Sequence, residues 1–590
     1  MVHPQPSRQQ QDAAGAAGFP HDTIKLCYGV RGSFAFHRDG FRPQERIAAA
    51  HGSESLRLVK MAGRSGTRLA PPACEDCLSY RKTADRLAKG GLRRSIHAIL
   101  NRPQQRWPTR TPAWAPIKTP TSPFMTNGDR EQQDVNRLAE WQKNNGQLRN
   151  VKVIEKWLTV KPGNCANPAE LIAAIGRAVS QDANNDSQPI RFVVTSQSQD
   201  GLDCELGVLS KPLDTDTKPL FHFRPRLERD DREFNVIFLV PTGIGAEIGG
   251  HSGDSGPVAR LLGSACSTLI THPNVGNAAD INELPTNALY VEGSVITDLL
   301  MGNVELQPVR SNRLLLLMER HADPWFMDAT VNMASAARAA AGFHVGEIVV
   351  LNKNFSMRSL YTPSGRAAGE VDGLECVFDC LDRRRGSFDA VAIASLIKVP
   401  SHYHKDYFED CEDRIVNPWG GVEAMLTHAL SRCYRVPTAH APMMTSREVQ
   451  TLDYGPVDPR KAAEPVSSTY LFSVLKGLHR SPAIRAATGN PGAAGRIGVE
   501  NVHCLIIPEG CLGLPTLAAL AQRVPIISVR GNSNCMRNSL RDLPNGAEGI
   551  TSVDNYLEAV GVMSALRSGI TLESVRRPIP HTKVTFEADG

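Results

Sequence analysis

From residue 233 onward the chain alternates short β-branched runs with alanine-rich stretches, and that alternation narrows its possible folds more than any other feature. Segments 234–240, 313–318, 347–351, 390–394, 504–508 and 524–529 are near-continuous apolar runs, the pattern of strands buried on both faces. Between them, 329–341, 422–432, 514–522 and 555–567 read as helices. Strand alternating with helix predicts an α/β domain over 233–580, with a mainly parallel sheet and helices on both faces.

The sequence before residue 233 is of another kind. Val135, Leu138, Trp141, Leu148 and Val151 recur at roughly helical spacing, so 133–180 reads as largely helical. Pro168 opens its clearest helix, with Asn167 as N-cap. A strand is expected at 190–194, and the polar, proline-interrupted 211–232 marks a boundary. These features predict a small α+β accessory domain over 133–210. Residues 1–124 carry 20 Lys and Arg against 8 Asp and Glu, whereas the remaining 466 residues carry 46 against 53. This basic, irregular stretch reads as a disordered leader, or as a mispredicted start upstream of Met125.

Several classes are excluded or disfavoured. No apolar run approaches the ~20 residues that cross a bilayer, so no membrane segment is expected. The 13 cysteines show no repeating interval and read as reduced thiols of a cytoplasmic protein. Cys74 and Cys77 form a lone CxxC with no second ligand pair, so no metal site is expected.

Two loops at predicted strand ends carry the chemistry. The first, PTGIGAEIGGHSGDSGP, places Gly243, Gly245, Gly249, Gly250, Gly253 and Gly256 within fourteen residues, beside His251, Asp254 and Ser255. Glycines allow close backbone approach, and their N–H groups can cradle an anion or oxyanion. The spacing matches neither a dinucleotide fingerprint nor a P-loop. The second loop packs His272, Asn274, Asn277, Asp280, Asn282, Glu283, Asn287, Tyr290, Glu292 and Ser294 into 23 residues. Asn turns account for part of that polarity. Asp280, Glu283 and Glu292 also suit a guanidinium, which pairs bidentately with carboxylates.

A third segment, CLIIPEGCLGLP, puts Glu509 and Cys511 at a strand end before a helix. A cysteine there is a candidate nucleophile, although buried structural cysteine is commoner. His402, His404, Asp406, Glu409 and Asp410 read as a solvated loop. His428 and His440 are each either a general base or a structural histidine.

The stretches PTGIGAEIGGHSGDSGPVARLL, LITHPNVGNAADINELPTNALYVEGSV, LQPVRSNRLLLLM, NPWGGVEAMLTH, TAHAP and PEGCLGLPTLAAL resemble a bacterial and fungal domain-of-unknown-function family. Its fungal members resemble arginine-containing cyclodipeptide synthases of secondary metabolism. The resemblance implies condensation of arginyl and second aminoacyl groups, taken from aminoacyl-tRNAs, into a diketopiperazine. Such substrates are already activated, so neither an ATP site nor a cofactor is required, and no stable protein partner is expected. On this reading Ser255 or Ser294 accepts an acyl group, and His251 or His272 is the base, with Tyr290 beside them. The Gly243–Gly250 backbone supplies oxyanion donors, and the carboxylates hold the arginyl side chain. Two other classes fit the residues alone. One is a cofactor-independent hydrolase, lyase or isomerase of an anionic metabolite, and the other is a ligand-binding regulator without turnover.

Overall fold

The first strands lie before the α/β alternation begins. They are β1 (Lys152–Val160), β2 (Gln188–Ser198) and β3 (Gly201–Leu209), with helix α1 (Pro168–Asp182) between β1 and β2. A computed structural model of the chain describes residues 150–182, 187–198, 201–211, 217–399, 402–410, 415–488, 495–543 and 548–586. The leader 1–124, its Cys74–Cys77 pair and the helical reading of 133–149 lie outside the described residues. Residues 152–160 form a strand, not the continuation of a helix. Successive side chains alternate between faces, with Val153 and Glu155 buried and Lys152, Ile154 and Lys156 less so, which suits a ladder with β3 from Val153↔Leu209 to Val160↔Leu202. Helix α1 starts as its sequence suggests. Asn167 Oδ1 accepts the Glu170 N–H at 3.0 Å, and Glu170 Oε1 accepts from Asn167 Nδ2 at 2.8 Å, a reciprocal cap.

The α/β region then runs β4 (Asn235–Phe238), α2 (Gly256–Gly263), β5 (Thr268–Thr271), α3 (Pro273–Gly276), β6 (Ala288–Tyr290), α4 (Gly293–Leu300) and β7 (Val304–Gln307). Next come β8 (Leu314–Met318), α5 (Pro324–Ala341), β9 (Val345–Val350), β10 (Ser356–Tyr361), β11 (Ala367–Asp372) and α6 (Glu375–Arg383). They are followed by β12 (Ala390–Lys398), α7 (His402–Glu409), α8 (Gly420–Tyr434), β13 (Thr438–Met443), α9 (Leu471–His479) and β14 (Ala483–Ala486). The chain closes with β15 (Val502–Pro508), β16 (Leu512–Gly513), α10 (Leu514–Ala521), β17 (Ile526–Val529), β18 (Ile550–Val553) and α11 (Tyr556–Arg567).

The strands make two large sheets. One has six strands in the order β18-β17-β15-β4-β5-β6, and every pairing in it is parallel. All residues of β4, β15 and β17 are buried, as their unbroken apolar runs require. The other sheet has ten strands and corrects the expectation of a mainly parallel architecture, because it is mixed. Its β16-β2-β3-β1-β11-β10 side is antiparallel, whereas β12 pairs in parallel with β8, β10 and β13, and β8 with β9. Two of its antiparallel pairings, β2–β3 and β10–β11, are hairpins, and the others join strands distant in sequence. Strands β10 and β11 are joined by a tight turn in which Thr362 N–H donates to Arg366 C=O at 2.8 Å.

Two of the sequence's small-residue clusters explain how α8 meets this sheet. A Cβ on Gly421 would lie 2.2 Å from the Ala367 carbonyl, and one on Gly369 would lie 2.4 Å from Val422. Only glycine at both positions lets α8 lie this close to β11. Among the described residues, no helix is long and apolar enough to cross a membrane.

Candidate active-site cavity

In the parallel sheet, Leu239 follows β4, His272 follows β5, Glu292 follows β6, and Ile507 is near the end of β15. In the mixed sheet, Ile397 and Pro442 lie near the ends of β12 and β13. All six line one cavity of about 240 Å³. Carboxyl ends of parallel strands from both sheets therefore open onto the same space, the position where open α/β sheets bind ligands. The cavity also marks the meeting of three apolar clusters: Phe192 and Leu512 belong to one, Trp419 and Ile397 to a second, Met443 and Tyr470 to a third.

Its polar wall holds three glutamates and four histidines: Glu292, Glu423, Glu464, His272, His404, His428 and His440. Glu292 is the N-cap of α4, and its Oε2 accepts the Ser294 N–H at 2.9 Å and also the Ser294 hydroxyl. Its Oε1 accepts from Thr427 at 3.2 Å and stands 2.5 Å from His428 Nδ1. Burial raises the Glu292 carboxyl, but the neighbouring His428 and the Ser294 donors outweigh it and leave the group below its ordinary range. A Cβ at position 293 would press on His428 Cε1 at 3.2 Å, so Gly293 makes room for that ring. His272 accepts the Val240 N–H through Nε2 at 3.1 Å, which leaves the ring proton on Nδ1. Burial drives its pKa down to about 4, so this imidazole is neutral at physiological pH.

A second chain of polar groups lies behind Glu423. His440 Nδ1 is 2.9 Å from Glu423 Oε1, and His440 Nε2 is 2.8 Å from Ser395 Oγ. The carboxylate places the proton on Nδ1, so Ser395 donates to Nε2. The parallel pairing of β12 with β13, Ile393↔His440, aligns these side chains. Ser395 itself is fully buried and behind the cavity wall.

Glu464 is the third carboxyl. Burial, and then the nearby Glu423 carboxylate, push it up to about 8. It accepts long contacts of 3.4 Å from Tyr407 Oη and Asn417 Nδ2, and Tyr407 Oη lies 2.8 Å from His251 Nδ1. At neutral pH the wall thus presents a protonated carboxyl beside an ionisable one. An incoming cation would favour releasing the Glu464 proton.

The two loops singled out in the sequence do touch. Asn274 Nδ2 donates to Gly249 C=O at 2.7 Å, and Ser252 Oγ donates to Asn277 C=O at 3.2 Å. Of the sequence candidates, His272, Asn274, Asn277, Glu292, His428, His440 and Cys511 line the cavity. Gly243, Gly245, Gly249, Gly250, His251, Asp254, Ser255, Asp280, Glu283, Tyr290, Ser294 and Glu509 support it or lie elsewhere. The glycine-rich loop already binds an anion, the chain's own Asp254 carboxylate. It accepts the Gly249 N–H at 3.0 Å and the His251 N–H at 3.3 Å, and burial raises it to about 6. The glycines there serve packing as well. A Cβ on Gly243 would come within 2.3 Å of Ala367 C=O, and one on Gly253 within 2.4 Å of Ala278.

Ser255 Oγ is buried without a hydrogen-bond partner among the described residues, and the Ser294 hydroxyl is spent on Glu292. Neither reaches the cavity as an acyl acceptor. Asp280 binds Ser467, Thr469 and the Phe472 N–H at the start of α9, and Glu283 is exposed beside Lys476 at 3.4 Å. Tyr290 pairs with Asn277 at 2.9 Å. Burial raises the Cys511 thiol well above its ordinary value, contrary to an activated nucleophile. His404, expected on a solvated loop, is buried in α7 against Trp419. Among the described residues, no three His, Cys, Asp or Glu side chains are grouped to hold a metal ion.

Glu423, Glu464, Thr427, Arg366 and Arg191 did not stand out from the sequence. Glu423 and Thr427 carried a usable signal, since they stand at i and i+4 on the helix that holds His428. Glu464 and the arginines carried none, because their role depends on chain crossings. Residues 235–576 match the model of a family described as a protein of unknown function, DUF3326. The chain belongs to that family. An uncharacterized lipoprotein of Synechococcus sp. (strain ATCC 27144 / PCC 6301 / SAUG 1402/1) is 33% identical over 341 residues, which is 58% of this chain and 92% of that protein. No solved structure matches the chain. All seven glutamates and histidines of the wall lie within the family region, whereas Arg191, Phe192 and Val193, which also line it, precede that region.

Proposed function

We propose that the chain is a cytoplasmic aminoacyltransferase: a tRNA-dependent cyclodipeptide synthase that joins an arginyl group to a second aminoacyl group, in secondary-metabolite biosynthesis. The observation that carries this reading is the convergence of Glu423, Glu464 and the His428–Glu292 pair on one cavity. Glu423 and Glu464 form the cation subsite, where a guanidinium pairs with two carboxylates. His428, oriented by Glu292, is the base.

Each half of the reaction is an aminolysis. The α-amine of one aminoacyl-tRNA attacks the ester carbonyl of the other and a C–N bond forms. The ester C–O bond to the tRNA ribose breaks, His428 takes the amine proton, and the ribose oxygen regains one. The free amine of the resulting dipeptidyl-tRNA then attacks its own ester carbonyl, which closes the ring and releases the second tRNA. No covalent acyl-enzyme is needed, consistent with the buried positions of Ser255 and Ser294.

Expression in a bacterial host followed by mass spectrometry of the medium tests the reading. The expected result is a new Arg-containing cyclic dipeptide, whose formation in a lysate ribonuclease abolishes. Its absence in the full-length wild type overturns the proposal. His428→Ala is expected to lower turnover by about 10²–10³-fold with product identity unchanged.

A second reading is favoured by the Ser395–His440–Glu423 hydrogen-bonded chain, which has the order of a hydrolase triad. In a hydrolase of a small metabolite, Ser395→Ala removes all turnover. In the synthase it leaves product formation within about tenfold, because Ser395 only orients His440.

A further inference from the structure

The strands before the family region are built into the cavity itself. Arg191, Phe192 and Val193 on β2 line it, and β2 pairs with β16 through Val194↔Leu512 and Val193↔Gly513. Leu512 and Gly513 line the same cavity. On its other side the N-terminal segment is joined to β11, through Lys152↔Asp372 and Val153↔Val371.

A buried charge network ties the two parts together. Arg366, in the family region and 1% exposed, donates through Nε to Glu205 at 2.6 Å and lies 3.1 Å from Glu155. Both carboxylates come from the N-terminal strands, and Glu155 also pairs with Arg191. A guanidinium this buried requires such partners, so the family region does not complete this wall alone.

The wall is apolar where β2 presents Phe192. Phe192, Leu239, Ile244, Ile507, Leu512 and Met536 line the cavity and belong to one contiguous core cluster. Phe192 is held edge-on by Phe221, with ring centroids 5.4 Å apart. Phe221 in turn packs where α1 has no side chain, since a Cβ on Gly176 would lie 2.9 Å from it. The ring is therefore a fixed wall, not an adaptable one.

We infer that β2 is the specificity strand of the synthase, a step that rests on the function proposed above. Phe192 limits the size of the second aminoacyl side chain. That side chain is uncharged, because the ionic groups in this stretch of wall, Arg191 and Arg366, are already paired with Glu155 and Glu205. The Glu423–Glu464 subsite is left to the arginyl group.

The test compares the ratio of Arg-containing cyclic dipeptides formed by the full-length chain from the whole aminoacyl-tRNA pool. Phe192→Ala is expected to shift the ratio toward bulkier second residues by about tenfold or more, and Phe192→Trp toward smaller ones. Trp157→Ala, exposed on β1 and outside the cavity lining, is the control and leaves the ratio unchanged. A ratio is independent of how much protein folds, so partial misfolding does not mask the result. Products whose ratio is the same in wild type, Phe192→Ala and Phe192→Trp overturn the assignment of β2 while leaving the synthase standing. No cyclic dipeptide from the wild type overturns both.

Discussion

Glu464 gives the cavity its clearest pH signature. The folded protein holds its proton up to about 8, whereas an unfolded glutamate releases it near 4.5. The folded state binds more protons across that window, so stability falls as pH rises through it and levels off above 8. His272, held neutral down to about 4, has the opposite slope between 4 and 6.5. Above 6.5 only the Glu464 slope remains of the two. Glu464→Gln is expected to flatten the fall between pH 6.5 and 8, by an amount on the order of 1–2 kcal/mol, read by urea unfolding at a series of pH values. The same substitution removes the proton that a bound cation displaces. The wild type should therefore bind its cationic substrate more tightly as pH rises to about 8, and the variant should lose that dependence in KM.

Among the elements, α8 carries the most. It supplies Glu423, Thr427 and His428 to the cavity, and Arg432 to a buried pair with Asp298 at 2.6 Å. Its position depends on glycine contacts with β11. Gly421→Ala places a methyl group 2.2 Å from a backbone oxygen, which cannot yield as a flexible side chain can. We expect a loss of about 2–3 kcal/mol by thermal or urea unfolding, together with loss of turnover as His428 is displaced. One helix end was legible, since a cap involves only near neighbours: Asn167 caps α1 as its sequence position suggests. The helix read over 329–341 instead starts at Pro324, with Asp323 as its N-cap, and Asn555 caps α11. Strands β3, β10 and β11 were illegible because their glycines and charges serve pairing and ion-pair partners far along the chain. In β3, Gly207 accommodates Arg191, and Glu205 binds Arg366.

At the scale of the whole molecule, the chain enters the parallel sheet with β4–β6, builds the parallel part of the mixed sheet, and returns to the parallel sheet for β15, β17 and β18, with β16 crossing back to pair with β2. Each sheet is therefore closed by strands distant in sequence, and the cavity exists only when both are assembled. A chain beginning at residue 233 would leave Arg366 without Glu155 and Glu205, β16 without its partner β2, and β11 without β1 on one edge. Removing the partners of a buried charge costs about 3–5 kcal/mol. We expect this truncation to show no cooperative melting transition by circular dichroism, whereas the full chain unfolds in one.

Local pattern alone determined the long apolar strands β4, β8, β9, β12, β15 and β17, the helices α8, α10 and α11, and that two polar loops follow β4 and β5. Those properties depend on side-chain periodicity and near-neighbour hydrogen bonds. Tertiary structure decided which polar groups face a ligand. It engaged the Gly249 and His251 N–H groups with Asp254, drew Ser255 into the interior, and brought Glu464 to Glu423 and His428 of α8 from a segment that no periodicity connects to that helix. The mixed sheet was decided in the same way, because strand direction depends on which distant edge offers unpaired backbone groups.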